Sequence, residues 1–301
     1  MNMKVDLCGV TLNNPVMTAS GTFGSGAEYA EFVDLNKLGA VVTKGVANVP
    51  WPGNPTPRVA EVYGGMLNAV GLQNPGIDLF VERDIPFLKQ FDTKIMVNVC
   101  GHSTEEYIEV VERLSDQPVD LLEINISCPN VKEGGIAFGQ DPKAVEAITK
   151  EMKKHAAQPV IMKLSPNVTD ITEMARAAEA GGADGLSLIN TITGMKIDIN
   201  RQKFVLANKT GGMSGPAIHP VAVRMVYQTA QAVRLPIVGM GGIMNAEDAI
   251  EMILAGATVV SVGTANFTNP HVTEEIVAGI RDYMERYQVA DIKDLVGAVH
   301  E

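Results

Sequence analysis

The sequence is poor in cysteine, and its few cysteines do not form a metal-binding or disulfide pattern. Only three occur among 301 residues, at Cys8, Cys100 and Cys128. An odd number of widely spaced thiols argues against a disulfide scaffold and against a four-thiolate zinc or iron–sulfur site within this chain. The five histidines also lack the helical spacing of metal ligands. We therefore expect no metal site.

Basic clusters and long apolar runs are missing as well. The formal net charge is −11 and no run of Lys or Arg occurs, which argues against binding to nucleic acid or to a membrane surface. No stretch approaches the roughly 18 apolar residues of a membrane span. The first ten residues lack the basic start and apolar core of a signal peptide. These absences predict a cytoplasmic protein that binds neither nucleic acid nor a membrane.

What the sequence does contain is an alternation of short apolar runs and amphipathic segments. The runs are mainly apolar on both faces, which is typical of parallel strands covered by helices on the outside. They lie at residues 15–18, 40–43, 95–99, 121–126, 160–164, 185–189, 237–239 and 259–263. The clearest helical patterns cover residues 103–114, 141–155, 169–180 and 245–255. Several of these begin at a capping residue such as Ser103 or Asp141, as helices commonly do.

About eight strand–helix units predict a single α/β domain over residues 1–301, a (β/α)₈ TIM barrel. A doubly wound open sheet is the alternative, but it would usually carry a glycine fingerprint after its first strand. The only candidate, residues 21–26, lacks the G-x-G-x-x-G spacing. Residues 45–75, 127–140 and 191–216 are too long for simple loops. Because each follows a strand, we expect them to be inserted loops at the C-terminal face of the barrel.

Polar residues and glycines follow most of the predicted strands. The carboxyl ends of barrel strands are where active sites lie, so these residues are expected to share one site: Ser20, Lys44, Gly45, Asn98, Asn125, Cys128, Lys163, Asn190, Thr191, Gly241, Gly242, Gly263 and Thr264. Glycines after the last two strands suit a phosphate, although they could equally form ordinary tight turns. Two lysines and several carboxamides fit flavin mononucleotide (FMN) better than pyridoxal phosphate.

Cys128 is the strongest candidate for chemistry among the three thiols. It lies just past the strand predicted at 121–126, in a loop bounded by Pro129 and close to Gly134 and Gly135. A thiol there could act as a nucleophile, a base or a metal ligand. We interpret Cys8 and Cys100 as packing residues.

The chain resembles the class 1 dihydroorotate dehydrogenases, most closely the catalytic subunit of type 1B. The similarity extends over essentially the whole chain and rests on several motifs in order: NPVMTASGTFGSG (14–26), VTKGV (42–46), NAVGLQNPG (68–76), NISCPNVKEGG (125–135), IMKLSPN (161–167), LINT (188–191), GGMSGPA (211–217), GMGGI (239–243) and SVGTA (261–265).

The resemblance implies an FMN-dependent oxidation of dihydroorotate to orotate in pyrimidine biosynthesis. Cys128 would be the base that removes a proton from C5, while the hydrogen on C6 passes as hydride to the flavin. FMN contacts would fall on Ser20, Lys44, Gly45, Asn98, Asn125, Lys163, Ile189, Gly215, Gly241, Gly242, Gly263 and Thr264. The substrate site would use Lys44, Asn68, Ala69, Val70, Gly71, Leu72, Asn125, Asn190 and Thr191.

The resemblance also implies a partner. Type 1B enzymes pass electrons to NAD⁺ through a second subunit with FAD and a 2Fe–2S cluster, and this chain has no motif for either group. We therefore expect a homodimer that carries two such subunits, a heterotetramer. The alternatives are a fumarate-linked type 1A enzyme and a dihydropyrimidine dehydrogenase. From the residues alone, an aldolase or isomerase with Lys163 as Schiff base and a non-catalytic barrel are less favoured; the membrane-bound class has Ser in place of Cys128.

Overall fold

The computed structural model describes residues 1–126 and 138–300, and a closed barrel of parallel strands forms its centre. In chain order the strands are β1 (Val5–Leu7), β2 (Val10–Leu12), β3 (Val16–Thr18), β4 (Ala40–Val42), β5 (Val59–Val62), β6 (Gly65–Asn68), β7 (Lys94–Val99), β8 (Leu121–Asn125), β9 (Val160–Lys163), β10 (Gly185–Leu188), β11 (Ile192–Met195), β12 (Ile197–Asp198), β13 (Lys203–Phe204), β14 (Thr210–Ser214), β15 (Ile237–Met240) and β16 (Val259–Val262).

The barrel runs β3-β4-β7-β8-β9-β10-β15-β16 and closes when β16 pairs with β3. These strands are the eight apolar runs predicted from the sequence, and nearly every residue in them is buried. The interior is packed because side chains from one face of each strand fill it, while the other face meets the helices. The (β/α)₈ prediction is therefore confirmed, and the doubly wound open sheet is excluded.

Helices surround the barrel where the amphipathic patterns predicted them. They are α1 (Ile77–Leu79), α2 (Ile85–Leu88), α3 (Thr104–Ser115), α4 (Pro142–His155), α5 (Ile171–Ala180), α6 (His219–Ala232), α7 (Ala246–Leu254), α8 (Ala265–Thr268) and α9 (Val272–Arg286), with a π-helix at Phe80–Asp84. Ser103 caps α3 by accepting a hydrogen bond from the backbone N–H of Glu106, and Asp141 caps α4. Among the described residues, no helix is long and apolar enough to cross a membrane.

The inserted loops form a second sheet. Strands β5 and β6 from the first insertion pair with β14 and β11 from the last to give an antiparallel sheet of order β11-β14-β6-β5. A small apolar cluster of Ala60, Leu67, Ala69 and Leu206 packs within it. These two insertions therefore gather on one face, as predicted. The middle insertion, 127–140, is described only at residues 138–140, which form a 3₁₀ turn.

The chain begins with a hairpin that the sequence analysis did not predict. Strands β1 and β2 are joined by Cys8 and Gly9, whose φ angles of 55° and 84° are those of a two-residue turn with left-handed backbone. The Cys8 thiol donates to the carbonyl of Asp184 at 3.3 Å. Asp184 immediately precedes β10, so the hairpin lies at the amino end of the barrel strands, opposite the predicted site.

We expect the Cys8 thiol to resist alkylation in the folded protein. Burial, and next the negative charge of Asp184, raise its pKa to about 12, so only about 10⁻⁴ of it would be thiolate at pH 8. Iodoacetamide should label Cys8 about 10³-fold more slowly in the native state than in urea, as measured by mass spectrometry of the Cys8 peptide. Similar rates in the two states would show that the hairpin does not protect the thiol.

Candidate active site

A cavity of about 330 Å³ lies between the carboxyl ends of the barrel strands and the antiparallel sheet. Its volume is within the range of sites for small molecules and cofactors. The barrel contributes the loops that follow its strands, and the sheet contributes Val59, Met66, Thr193, Thr210 and Ser214. The site is therefore enclosed by the fold and by the insertions together.

Most of the predicted site residues line this cavity. They come from distant parts of the sequence and share it because parallel strands end at the same face of the barrel: Ser20, Lys44, Asn68, Ala69, Val70, Gly71, Leu72, Asn125, Lys163, Ile189, Asn190, Thr191, Gly241, Gly242, Gly263 and Thr264.

Four predicted residues do not contribute to the described lining. Asn98 is fully buried below the floor, where its Oδ1 accepts from Asn125 Nδ2 at 3.4 Å. Gly45 lies beside it, since a Cβ at that position would be 3.1 Å from Asn98 Oδ1. Gly215 has a φ of 106° and packs against Gly65. Cys128 lies outside the described residues.

The floor of the cavity carries a buried cation. Lys163 is 5 % exposed, and its ammonium donates to Ser20 Oγ at 3.3 Å. The carboxylate of Glu123, itself fully buried, lies 3.6 Å from the same nitrogen. Glu123 was not among the site residues predicted from the sequence. The sequence did contain a sign of its importance, because Glu123 is the one charged residue within the apolar run of 121–126.

The loop after β15 exposes its backbone to the cavity at two glycines, Gly241 and Gly242. Gly241 and Gly242 have φ angles of 129° and 69°. A Cβ on Gly242 would lie 2.8 Å from the carbonyl oxygen of Gly215 and 2.8 Å from the backbone nitrogen of His219. Both the conformation and the space therefore require glycine here, and such a turn lets a bulky anion approach the backbone.

Two residues outside the predicted set, His219 and Ser214, form hydrogen bonds that stabilise the glycine loops. His219 has Nδ1 2.8 Å from the Gly241 carbonyl oxygen, and its other ring nitrogen lies 3.2 Å from the carboxylate of Glu251. Thr264 Oγ1 donates to Ser214 Oγ at 2.7 Å, which joins the loop after β16 to the antiparallel sheet. None of these hydrogen bonds could be predicted, because each joins residues from separate parts of the sequence.

Asn167 and Asn68 form hydrogen bonds on the side of the cavity next to the antiparallel sheet. Asn167 donates to the carbonyl of Thr191 at 3.0 Å and accepts from the backbone N–H of Thr193 at 2.9 Å. Asn68 donates to the carbonyl of Gly212 at 3.4 Å. With Lys44 on the lining, this wall offers donors, acceptors and a cation, the groups that recognise a small acid with an amide-containing ring.

Tyr107 from α3 contacts both Asn125, at the end of β8, and Phe138. Its hydroxyl donates to the carbonyl of Asn125 at 2.6 Å, and its ring meets that of Phe138 edge to face at 6.1 Å between centroids. Tyr107 is 2 % exposed. One buried side chain therefore contacts both Asn125 and Phe138, the former through its backbone carbonyl and the latter through its ring.

Comparison with known proteins gives a consistent result. The family model described as dihydroorotate dehydrogenase matches residues 2–284. A protein of Lachnoclostridium phytofermentans named dihydroorotate dehydrogenase B (NAD⁺), catalytic subunit, is 73 % identical over 99 % of this chain and 100 % of its own length. Proteins with the same name from Alkaliphilus metalliredigens (99 % of each chain) and Caldicellulosiruptor bescii (100 % of each chain) are 65 % and 53 % identical.

Proposed function

The chain belongs to the dihydroorotate dehydrogenase family of oxidoreductases, and on that premise we propose that it is the catalytic subunit of an NAD⁺-linked enzyme that oxidises (S)-dihydroorotate to orotate. The observation that carries the proposal is that Lys44 and Lys163 line the same cavity as the carboxamides of Asn68, Asn125 and Asn190. The three relatives named above carry the name of the NAD⁺-linked B type, which favours this acceptor over fumarate.

Membership of the family implies a flavin, and we propose that it is FMN. The residues fit this cofactor, because the Gly241–Gly242 turn leaves room for a phosphate against the backbone and Lys163 places a cation in the floor. Ser20, Asn125, Gly263 and Thr264 line the same cavity, and Gly45, Asn98, Ile189 and Gly215 would support or contact the cofactor. When bound, FMN supplies the hydride acceptor, and a cation beside it favours the negative charge of the reduced form.

The protein residues bind and orient the substrate and remove its proton. We propose that Lys44 binds the carboxylate and that Asn68, Asn125 and Asn190 read the ring, with backbone groups of residues 69–72 and Thr191 completing the site. Cys128 would take the proton from C5. Because dihydrouracil has no carboxylate, the role proposed for Lys44 favours dihydroorotate over the substrate of a dihydropyrimidine dehydrogenase.

Electrons would leave through a second protein. The relatives are named as catalytic subunits, which supports a partner electron-transfer subunit. We propose that this partner carries FAD and a 2Fe–2S cluster, since the chain has three cysteines without a cluster-binding spacing, and that two copies of each subunit form a heterotetramer in the cytoplasm.

The visible spectrum of the purified chain tests the function directly. We expect a yellow protein whose flavin band bleaches when (S)-dihydroorotate is added without oxygen, and that stays oxidised with dihydrouracil. NAD⁺ should then reoxidise the flavin only when the partner subunit is present. Bleaching by dihydrouracil but not by dihydroorotate would contradict the proposed substrate, and a colourless protein would contradict the cofactor.

A further inference from the structure

Glu123 is a buried carboxylate inside the barrel, and the stability of the fold does not explain why a charged residue lies there. It is fully buried, and one of its oxygens, Oε1, has no hydrogen-bond partner within the described part of the chain. Burying a charged pair costs desolvation, and apolar residues of similar size often serve stability as well or better. A charge retained at this cost points to a functional role.

The strand register places Glu123 one layer below the cavity. Glu123 and Asn125 are two residues apart on β8, so both side chains point into the barrel, and Asn125 lines the cavity above. Asn98 on β7 is the register partner of Glu123, and Lys163 on β9 is the partner of Asn125. Glu123 therefore lies beneath the residues proposed to hold the flavin.

Glu123 contacts two polar neighbours, Asn98 and Lys163. Its Oε2 accepts from Asn98 Nδ2 at 2.5 Å and lies 3.6 Å from the ammonium of Lys163. A carboxylate can only accept, so it orients the amide of Asn98 with nitrogen towards Glu123 and oxygen towards Asn125, whose Nδ2 is 3.4 Å away. The same oxygen therefore aligns Asn98 and counterbalances the charge of Lys163.

We infer that Glu123 is a positioning residue that tunes the flavin: its carboxylate holds Lys163 and orients Asn98, and its negative charge limits the positive field that Lys163 applies to the cofactor. The inference rests on the proposed function, because it requires a flavin above Lys163. A positive charge near the flavin ring favours the reduced state, and a negative charge beneath opposes it.

The test is the midpoint potential of the flavin in Glu123→Gln, measured on the holoprotein by dye-coupled reduction. Gln has the same shape but no charge. At a given applied potential, the ratio of reduced to oxidised flavin should therefore be about three- to tenfold higher than in the unaltered protein. A tenfold change equals about 30 mV for a two-electron couple. The potential should rise.

Asp184→Asn is the matched control. It also removes one carboxylate paired with a lysine, since Asp184 lies 2.5 Å from Lys153, but it does so before β10, at the other end of the barrel. Its flavin potential should equal that of the unaltered protein. A change there as large as in Glu123→Gln would mean that net charge alone sets the potential, and would overturn the inference.

Glu123→Asp serves as a second variant and keeps the test decisive if Glu123→Gln does not fold. It retains the charge but withdraws the carboxylate from Lys163, so the potential should rise by a smaller amount. A lower melting temperature with an unchanged or lower potential would make Glu123 merely structural and overturn the inference. Failure of dihydroorotate to bleach the unaltered protein would instead contradict the proposed function, so the two failures are distinguishable.

Discussion

Replacing Cys128 by alanine is expected to slow dihydroorotate-driven flavin reduction by a factor of about 10²–10⁴, the usual contribution of a positioned general base. The flavin should remain bound, because its proposed contacts come from the cavity lining and from its immediate support, not from Cys128. Stopped-flow absorbance under anaerobic conditions measures the reduction step directly. It also separates that step from reoxidation by the partner.

The pH profile adds a second readout to the same variants. A free thiol has a pKa near about 8.5, so the rate of flavin reduction should rise with pH through one ionisation in the unaltered protein. In Cys128→Ser the rise should move to higher pH, because a hydroxyl is a much weaker acid than a thiol. A rate that is independent of pH from neutral to alkaline conditions would contradict a thiol base.

Cys8→Ser is the matched control for removing a sulfur. Ser can repeat the 3.3 Å hydrogen bond from residue 8 to the carbonyl of Asp184, and the hairpin lies at the end of the barrel away from the cavity. The reduction rate should not change. If Cys8→Ser and Cys128→Ala were slowed equally, the loss would reflect damage to the barrel and not the removal of a base.

The barrel could be predicted from the sequence because its strands carry their own signal. Runs such as residues 160–164 are mainly apolar on both faces, and a strand between helices and a packed interior suits such a pattern. The polar ends of these strands then followed from the topology, which brings Lys44, Asn125 and Lys163 to one face. The candidate site was therefore largely predictable once the fold was.

The antiparallel sheet over the cavity was not predictable in the same way. Strands β6 and β14 contain Gly65, Gly211 and Gly212 and are only partly buried, so they lack the apolar alternation of a typical strand. They are stabilised by pairing with each other across about 140 residues of sequence, as in the pair Gly212 and Asn68. No local pattern encodes such a partnership.

The same reason explains the residues that the sequence analysis missed near the site. His219 and Ser214 act through contacts with Gly241 and Thr264, which lie on other loops. The β1–β2 hairpin is a different case, because Val5, Leu7, Val10 and Leu12 alternate with polar residues and a signal was present. There the Cys8-Gly9 turn differs from the usual Asn-Gly or Asp-Gly pair of such hairpins.

Replacing Gly242 by alanine is expected to abolish stable flavin binding. The left-handed φ of 69° disfavours any side chain, and the new Cβ would lie 2.8 Å from two backbone atoms that cannot move aside as a flexible side chain could. The loop must shift away from the cavity. We expect the dissociation constant of FMN to rise at least about 10²-fold and the unfolding free energy to fall by about 2–5 kcal/mol.

Gly9→Ala is the matched control for Gly242→Ala. It introduces the same kind of backbone strain without a clash near the proposed phosphate site. Gly9 has a φ of 84°, but a Cβ there would meet no atom within 4 Å, and its hairpin is remote from the cavity. It should cost about 1–2 kcal/mol of stability and leave FMN affinity unchanged. Flavin fluorescence titration and urea unfolding measure the two quantities. If Gly242→Ala bound FMN as tightly as Gly9→Ala does, the phosphate would bind elsewhere, because close approach to this turn requires the space that the alanine methyl fills.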